Sequence, residues 1–209
     1  MIWFEVLVEG ASDLPAVRNV LTRHFGLVEN EQFRIHRHKG RGSLPDDLLG
    51  QPDPKQQTLL HQLPAKLKGF SHLGDEACVV VLVDVDGDPC HELLAQLDGM
   101  LARLPRRPPR VLFRLAIEET ESWFIADLEA VVKAYPKAKQ QKLRGIVADD
   151  IVGAWEKLAD ALNIKPSEVT GADKYAWAER ISPHLNLKEP HSPSLGKFIA
   201  GISREVSRP

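Results

Sequence analysis

The sequence predicts an α/β fold: a mostly parallel central sheet flanked by helices, with a helical C-terminal extension. Three observations carry the prediction. Up to about residue 135, short runs rich in β-formers alternate with segments of helical spacing, as the strand–helix–strand units of a parallel sheet do. Two of those runs, 77–83 and 111–117, are almost continuously apolar, the mark of strands buried on both faces. Beyond Pro136 the strand signal disappears and only helical segments follow.

The first strand is read at residues 2–8, which run into the turn-prone Glu9-Gly10-Ala11-Ser12-Asp13. Leu14, Val17, Val20, Leu21 and Phe25 then stand at helical spacing, with Ser12 or Asp13 as N-cap and Gly26 as stop. A second strand is expected over 32–38. It leads into the basic, glycine-rich Arg37-His38-Lys39-Gly40-Arg41-Gly42 and a Pro/Gly-rich stretch, together an insertion over about 37–54. A helix follows at 55–68, with Pro64 positioned to kink or break it. Next come the strand at 77–83, an amphipathic helix at 90–104 ended by the Pro-rich 105–109, and the strand at 111–117. One helix is expected from Glu121 through Tyr135. Residues 151–162, 174–181 and 195–206 read as three more, separated by Pro- and Gly-containing turns. The chain therefore divides into an α/β unit at 1–135 and a helical subdomain at 136–209.

At 209 residues with a formal net charge of −2, the chain has a globular composition and is no general magnet for polyanions. Contact with nucleic acid must come from local basic patches. Two cysteines, Cys78 and Cys90, cannot make a zinc site alone or a disulfide framework, which fits a reducing cytoplasm. No apolar run approaches a membrane span, and Glu5 and Glu9 interrupt the N-terminal apolar stretch where a signal peptide would need continuity. A cytoplasmic protein without a membrane partner is expected.

Acidic clusters stand where three of the apolar runs stop. Glu9 and Asp13 follow the first, Asp84-Val85-Asp86-Gly87-Asp88 the second, and Glu118-Glu119-Thr120-Glu121 the third. In a parallel sheet such strand ends line one crevice. Carboxylates crowded there repel one another unless a cation neutralises them. Asp84 and Asp86, two apart, point to one side of an extended chain, and Glu119 and Glu121 repeat that spacing. Hard oxygen ligands of this kind suit Mg²⁺ or Mn²⁺. Each cluster alone also fits a turn, a helix cap or an acidic first turn of a helix. Their coincidence at three strand ends points to a metal site. An EF-hand loop counted from Asp84 fails, because its sixth and twelfth positions hold Pro89 and Ala95. Asp-x-Asp-Gly after a strand also resembles the loop of haloacid-dehalogenase-like phosphatases, with Asp84 as nucleophile and Asp86 as acid/base. In that family the motif usually lies in the first strand, and here it comes late.

Val8-Glu9-Gly10-x-Ser12-Asp13, Leu82-Val83-Asp84-Val85-Asp86-Gly87-Asp88 and Glu119-Thr120-Glu121-Ser122-Trp123-Phe124-x-Ala126-Asp127 together resemble a TOPRIM domain. The resemblance covers residues 2 to about 130 and is strongest to small bacterial TOPRIM-like proteins, often encoded beside ATPases and related to overcoming-lysogenization-defect-type nucleases. It implies a TOPRIM/Rossmann-like fold and a divalent-metal-dependent nuclease, in phage defence or DNA repair. It further implies that Glu9, Asp84 and Asp86 hold the primary metal, and that Asp13, Glu119 and Glu121 complete a second position, with Asp88 a further candidate ligand. Lys174, in Ala172-Asp173-Lys174-Tyr175, corresponds to the downstream cation beside the scissile phosphate.

Arg37, Lys39 and Arg41 are the candidate nucleic-acid contacts, in a loop whose glycines would bring backbone amides close to a phosphate. A solvated basic loop is the competing reading. Arg106, Arg107 and Arg110 should lie at the opposite end of a strand from Glu118. Trp123, Trp155 and Trp177 fit a core, and His91 a helix surface. The expectation is an Mg²⁺- or Mn²⁺-dependent hydrolase of nucleic acid, DNA ahead of RNA, with Glu9, Asp84, Asp86 and Lys174 catalytic. The alternative is a non-catalytic interaction subunit of a partner ATPase, as no nucleotide-binding Gly-x-x-x-x-Gly-Lys-Ser/Thr motif occurs.

Overall fold

A computed structural model describes residues 2–85 and 89–208. Four strands, β1 (Trp3–Val8), β2 (Phe33–Arg37), β3 (Ala77–Asp84) and β4 (Val111–Ala116), form one all-parallel sheet in the order β2-β1-β3-β4. Helices cover both faces, an α/β architecture consistent with a Rossmann-like or TOPRIM-like fold. Register pairs Val8 with Arg37, Leu7 with Val81 and Asp84 with Ala116. The C-terminal ends of all four strands therefore share one edge. The chain moves from β1 outward to β2, then back past β1 to β3. The order thus reverses between β1 and β3, where open α/β sheets form their ligand crevice.

Side-chain alternation sorts the strands between two cores. Phe4, Val6, Val8, Cys78, Val80 and Leu82 face one side, and Leu7, Val79, Val81 and Val83 the other. The second face is covered by α2 (Leu59–Gly69) and α3 (Cys90–Arg103) through Leu63, Leu67, Leu93 and Leu97. The first is covered by α1 (Asp13–Asn19), which continues as a π-helical turn over Val20–His24, and by the helices that follow β4. Those are α4 (Glu121–Ala126), α5 (Leu128–Ala134), α6 (Ala154–Ala161), α7 (Gly171–Ile181) and α8 (Pro193–Val206). Leu158, Trp177, Ile181, Phe198 and Ile202 join the sheet in one core, so the C-terminal helices complete the layer that buries β1 and β3.

Two details depart from the sequence reading. Pro64 sits inside an unbroken α2, held by the buried face Leu59, Leu60, Leu63, Pro64 and Leu67. The helix expected over 121–135 is instead two, divided at Asp127. Its carboxylate accepts from the Ala130 amide at 3.0 Å and from the Asn186 amide at 2.8 Å. A short acceptor that can cap a new helix and anchor a distant loop competes with helix continuation. Both cysteines are free, and burial pushes the Cys78 thiol up to about 12. No described helix is long and apolar enough to cross a membrane.

Candidate metal centre

Glu9 is the first residue past β1, and its Oε1 accepts from the backbone amide of Asp84 at 2.8 Å. One carboxylate thus ties the ends of the two central strands on either side of the crevice. Asp13 opens α1 and is only 3 % exposed. Its Oδ2 accepts from the Gly10 amide at 2.9 Å, and its Oδ1 from the Thr120 hydroxyl at 2.9 Å. Thr120 comes from the turn after β4, so Asp13 bridges the first and third acidic clusters. That turn passes through Glu118, which holds a left-handed φ of 64° and accepts from the Gly153 amide at 2.8 Å. A non-glycine residue in that region is strained, and a dedicated bond keeps it there. The chain then enters α4 with Glu121 as its first residue, 2 % exposed.

Lys174 reaches this edge from α7. Its ammonium lies 3.1 Å from Glu119 Oε1 and 3.9 Å from Glu121 Oε1, and 4.6 Å from the centroid of the Trp155 ring. A capping box between Thr170 and Asp173 fixes the start of α7 immediately before it. The indole face keeps the cation directed at the carboxylates. On the β2 side, Arg41 Nη1 donates to the carbonyl of Val85 at 3.1 Å, so the basic loop crosses to the segment that follows Asp84.

The electrostatics are those of a crowded acidic site. Asp84 is driven well above the usual carboxylate range by burial, then by the charges of Asp13, Glu9, Glu121 and Glu119. Burial likewise raises Asp13, against the pull of its bonds from Gly10 and Thr120. Glu121 is pushed up to about 8 by burial, with Lys174 opposing and Glu119 and Asp13 adding to the rise. Glu121 Oε1 has no hydrogen-bond partner among the described residues. Such groups hold protons that a cation of higher charge would displace.

The donor set suits a hard divalent ion: oxygen ligands only, converging from the ends of β1, β3 and β4, with carboxylates in excess of cations. As they stand, no three described His, Cys, Asp or Glu side chains are gathered tightly enough to enclose an ion. An ion that keeps several of its waters, as Mg²⁺ does, needs only one or two carboxylates and fits this arrangement.

Of the residues expected from the sequence, Glu9, Asp13, Asp84, Glu119, Glu121 and Lys174 are drawn into one electrostatic group. Asp86 and Asp88 lie outside the described residues. The glycine-rich loop departs from expectation at Gly40, whose amide donates to the Glu9 carbonyl at 2.9 Å and so is spent on tying the loop to the β1 turn rather than offered to a phosphate. Gly42 is required for a different reason. Its φ is 65°, and a Cβ there would meet Thr58 Oγ1 at 2.1 Å. Trp123 and Trp177 are core, whereas Trp155 is half-buried against Lys174. The His91 side chain is exposed, and Arg110 lies before β4 at the opposite end of the strands. Thr120 and Trp155 are the supporting residues that sequence reasoning did not assign. Thr120 had a signal, its place inside the third acidic cluster, but Trp155 had none beyond its aromatic character.

The chain belongs to the family described as a domain of unknown function, DUF4276, which it matches over residues 8–203. The match spans the sheet and the C-terminal helices alike, from just before Glu9 to beyond Lys174. No curated protein and no solved structure matches the chain.

Proposed function

We propose that this chain is an Mg²⁺- or Mn²⁺-dependent phosphodiesterase acting on nucleic acid. The observation that carries the reading is the convergence of Glu9, Asp13, Asp84, Glu119 and Glu121 on the switch-point crevice beside Lys174, where burial and neighbouring carboxylates raise Asp84 and Glu121. Structural caps account for carboxylates singly and give no reason to bury several together. Glu9, Asp84 and Asp86 would hold the primary ion, with Asp13, Asp88, Glu119 and Glu121 forming a second position. A bound divalent cation neutralises the phosphate and lowers the pKa of an attacking water.

The chain's own groups then have distinct tasks. Glu9, fixed by the Asp84 amide, keeps the two central strand ends in register with the substrate. Thr120 and the Gly10 amide orient Asp13. Lys174, held beside Glu119 and Glu121, would stabilise negative charge developing on the phosphoryl oxygens.

A second reading, a non-catalytic TOPRIM-like subunit of a partner ATPase, draws on the absence of an ion-enclosing cluster among the described residues. Incubating the purified chain with plasmid, single-stranded DNA and RNA separates the two readings. Cutting with Mg²⁺ or Mn²⁺ that stops with chelator is expected. No metal-dependent cutting of any substrate would leave the binding role.

A further inference from the structure

A second charged feature lies on the other side of the β1 turn and has the opposite sign. Arg37, His38, Lys39 and Lys66, with Gln57 and Gln62, line a cavity of about 520 Å³ between the end of β2 and the middle of α2. No carboxylate is among the described residues that line it. Ala11 also lines it, from the same Glu9–Asp13 turn whose acidic side chains face the metal centre. The cavity is therefore a neighbour of the carboxylate crevice, separated from it by one turn of chain.

Arg37 and Lys39 stand exposed at its mouth, whereas His38 and Lys66 are half-buried. Among the described residues, none of Arg37, Lys39 and Lys66 makes an ion pair, and Lys66 is half-buried on α2. The opposing charge that acts on Lys66, Glu5, is already bonded to Trp3 at 2.9 Å and His36 at 2.5 Å. His38 Nδ1 is engaged with the Val8 carbonyl at 2.8 Å, while its buried Nε2 has no hydrogen-bond partner among the described residues. A half-buried ammonium and a buried imidazole nitrogen without partners are unfavourable unless a ligand supplies the missing acceptors and charge. The volume exceeds that of a bare phosphate and lies in the range of small-molecule sites.

We infer that this cavity is a binding site for a phosphate monoester, carried by the end of a nucleic-acid strand or by a free nucleotide. A monoester brings about two negative charges and three acceptor oxygens at neutral pH, against one charge for an internal diester, and so suits several converging cations. Gln57 and Gln62 spend their amide nitrogens on the carbonyls of Pro54, Asp53 and Gln56, and would present their side-chain oxygens as acceptors to the attached sugar or base. The inference rests on the phosphodiesterase reading only for its biological sense. If both hold, the enzyme reads strand ends, with the terminal phosphate held in the basic cavity and the bond to be cut at the carboxylates.

The experiment is a binding titration in chelator, so that no metal is involved. The ligands are a short single strand with a 5′-phosphate, the same strand with a 5′-hydroxyl, and a nucleoside monophosphate. The phosphorylated strand is expected to bind at least tenfold more tightly than its hydroxyl counterpart. Lys66→Met should erase that difference while leaving the unfolding temperature unchanged or raised. A nucleoside monophosphate binding as tightly as the phosphorylated strand would identify the free nucleotide as the source. Equal affinity for the two strands would overturn the inference and reduce the cavity to a general basic patch. Because cleavage is assayed separately with metal, loss of discrimination with cutting intact refutes the cavity alone. Discrimination without cutting refutes the nuclease alone.

Discussion

The two ends of the sheet both bury charge, and they do so in opposite ways. At the N-terminal ends of the strands, Arg110 is matched group for group. Its Nε meets Glu205 Oε2 at 2.8 Å, and Nη2 and Nη1 donate to the carbonyls of Glu205 and Asp75 at 2.7 and 2.8 Å. The result pins the last turn of α8 to the starts of β3 and β4. At the C-terminal ends, Glu9, Asp13, Asp84, Glu119 and Glu121 crowd together with Lys174 among them; burial raises Asp13, and burial with neighbouring carboxylates raises Asp84 and Glu121. A protein that satisfies one buried charge with three bonds and crowds several like charges together at the other end distinguishes scaffold from site. Matched charge holds the fold, and crowded like charge marks a candidate site.

The largest expected effect separates the two ends by activity. Asp84→Asn combined with Asp86→Asn should take metal-dependent cleavage below detection without loss of fold, read by nuclease assay and circular dichroism. Cutting that survives in this variant would place the chemistry elsewhere. Next comes stability. Arg110→Met leaves the half-buried Glu205 without its partner and should destabilise by up to about 3 kcal/mol in urea unfolding, below the range for a fully buried pair. Glu121→Gln at the other end should instead stabilise the metal-free protein, by on the order of 1–2 kcal/mol after relaxation. Equal losses at the two ends would erase the contrast.

The pH dependence sharpens the same point. Folded Glu121 keeps its proton up to about 8, whereas the unfolded chain releases it near 4.5. Between those values the native state holds more protons, so its contribution is fully present below about 4.5 and is lost as pH rises through about 8. The unfolding temperature in chelator should fall across that window, and the slope should flatten in Glu121→Gln. The smallest stability effect belongs to Lys174→Met, about 1 kcal/mol or less for a partly exposed pair. Calorimetry should find its metal affinity retained or raised, with cleavage lost. Weakened metal binding in that variant would contradict the assigned role.

Much of this was legible in the chain itself. Residues 77–83 could hardly be anything but a buried strand, since a run of Val and Leu needs apolar contact on both faces. Carboxylates at the end of such a run, as at Asp84, stand where the sheet stops and the crevice begins. The helices were readable from spacing, but the break at Asp127 was not, because its cause is a bond to the Asn186 amide far along the chain. Lys174 was reached through family resemblance rather than from its own surroundings, since nothing in its neighbouring sequence reveals that α7 carries it to the strand ends. The pairing of His38 with Lys66 was invisible for the same reason. Twenty-odd residues of irregular chain separate β2 from α2, and only packing brings them to one cavity.

The central claim is that the carboxylates crowded at the strand ends are a divalent-metal site. Isothermal titration of Mg²⁺ and Mn²⁺ into the chelator-stripped chain, beside Asp84→Asn, tests it most directly. A saturable binding event with proton release in the native chain, lost in the variant, is the predicted result. No saturable binding, or binding that the variant retains unchanged, would contradict it.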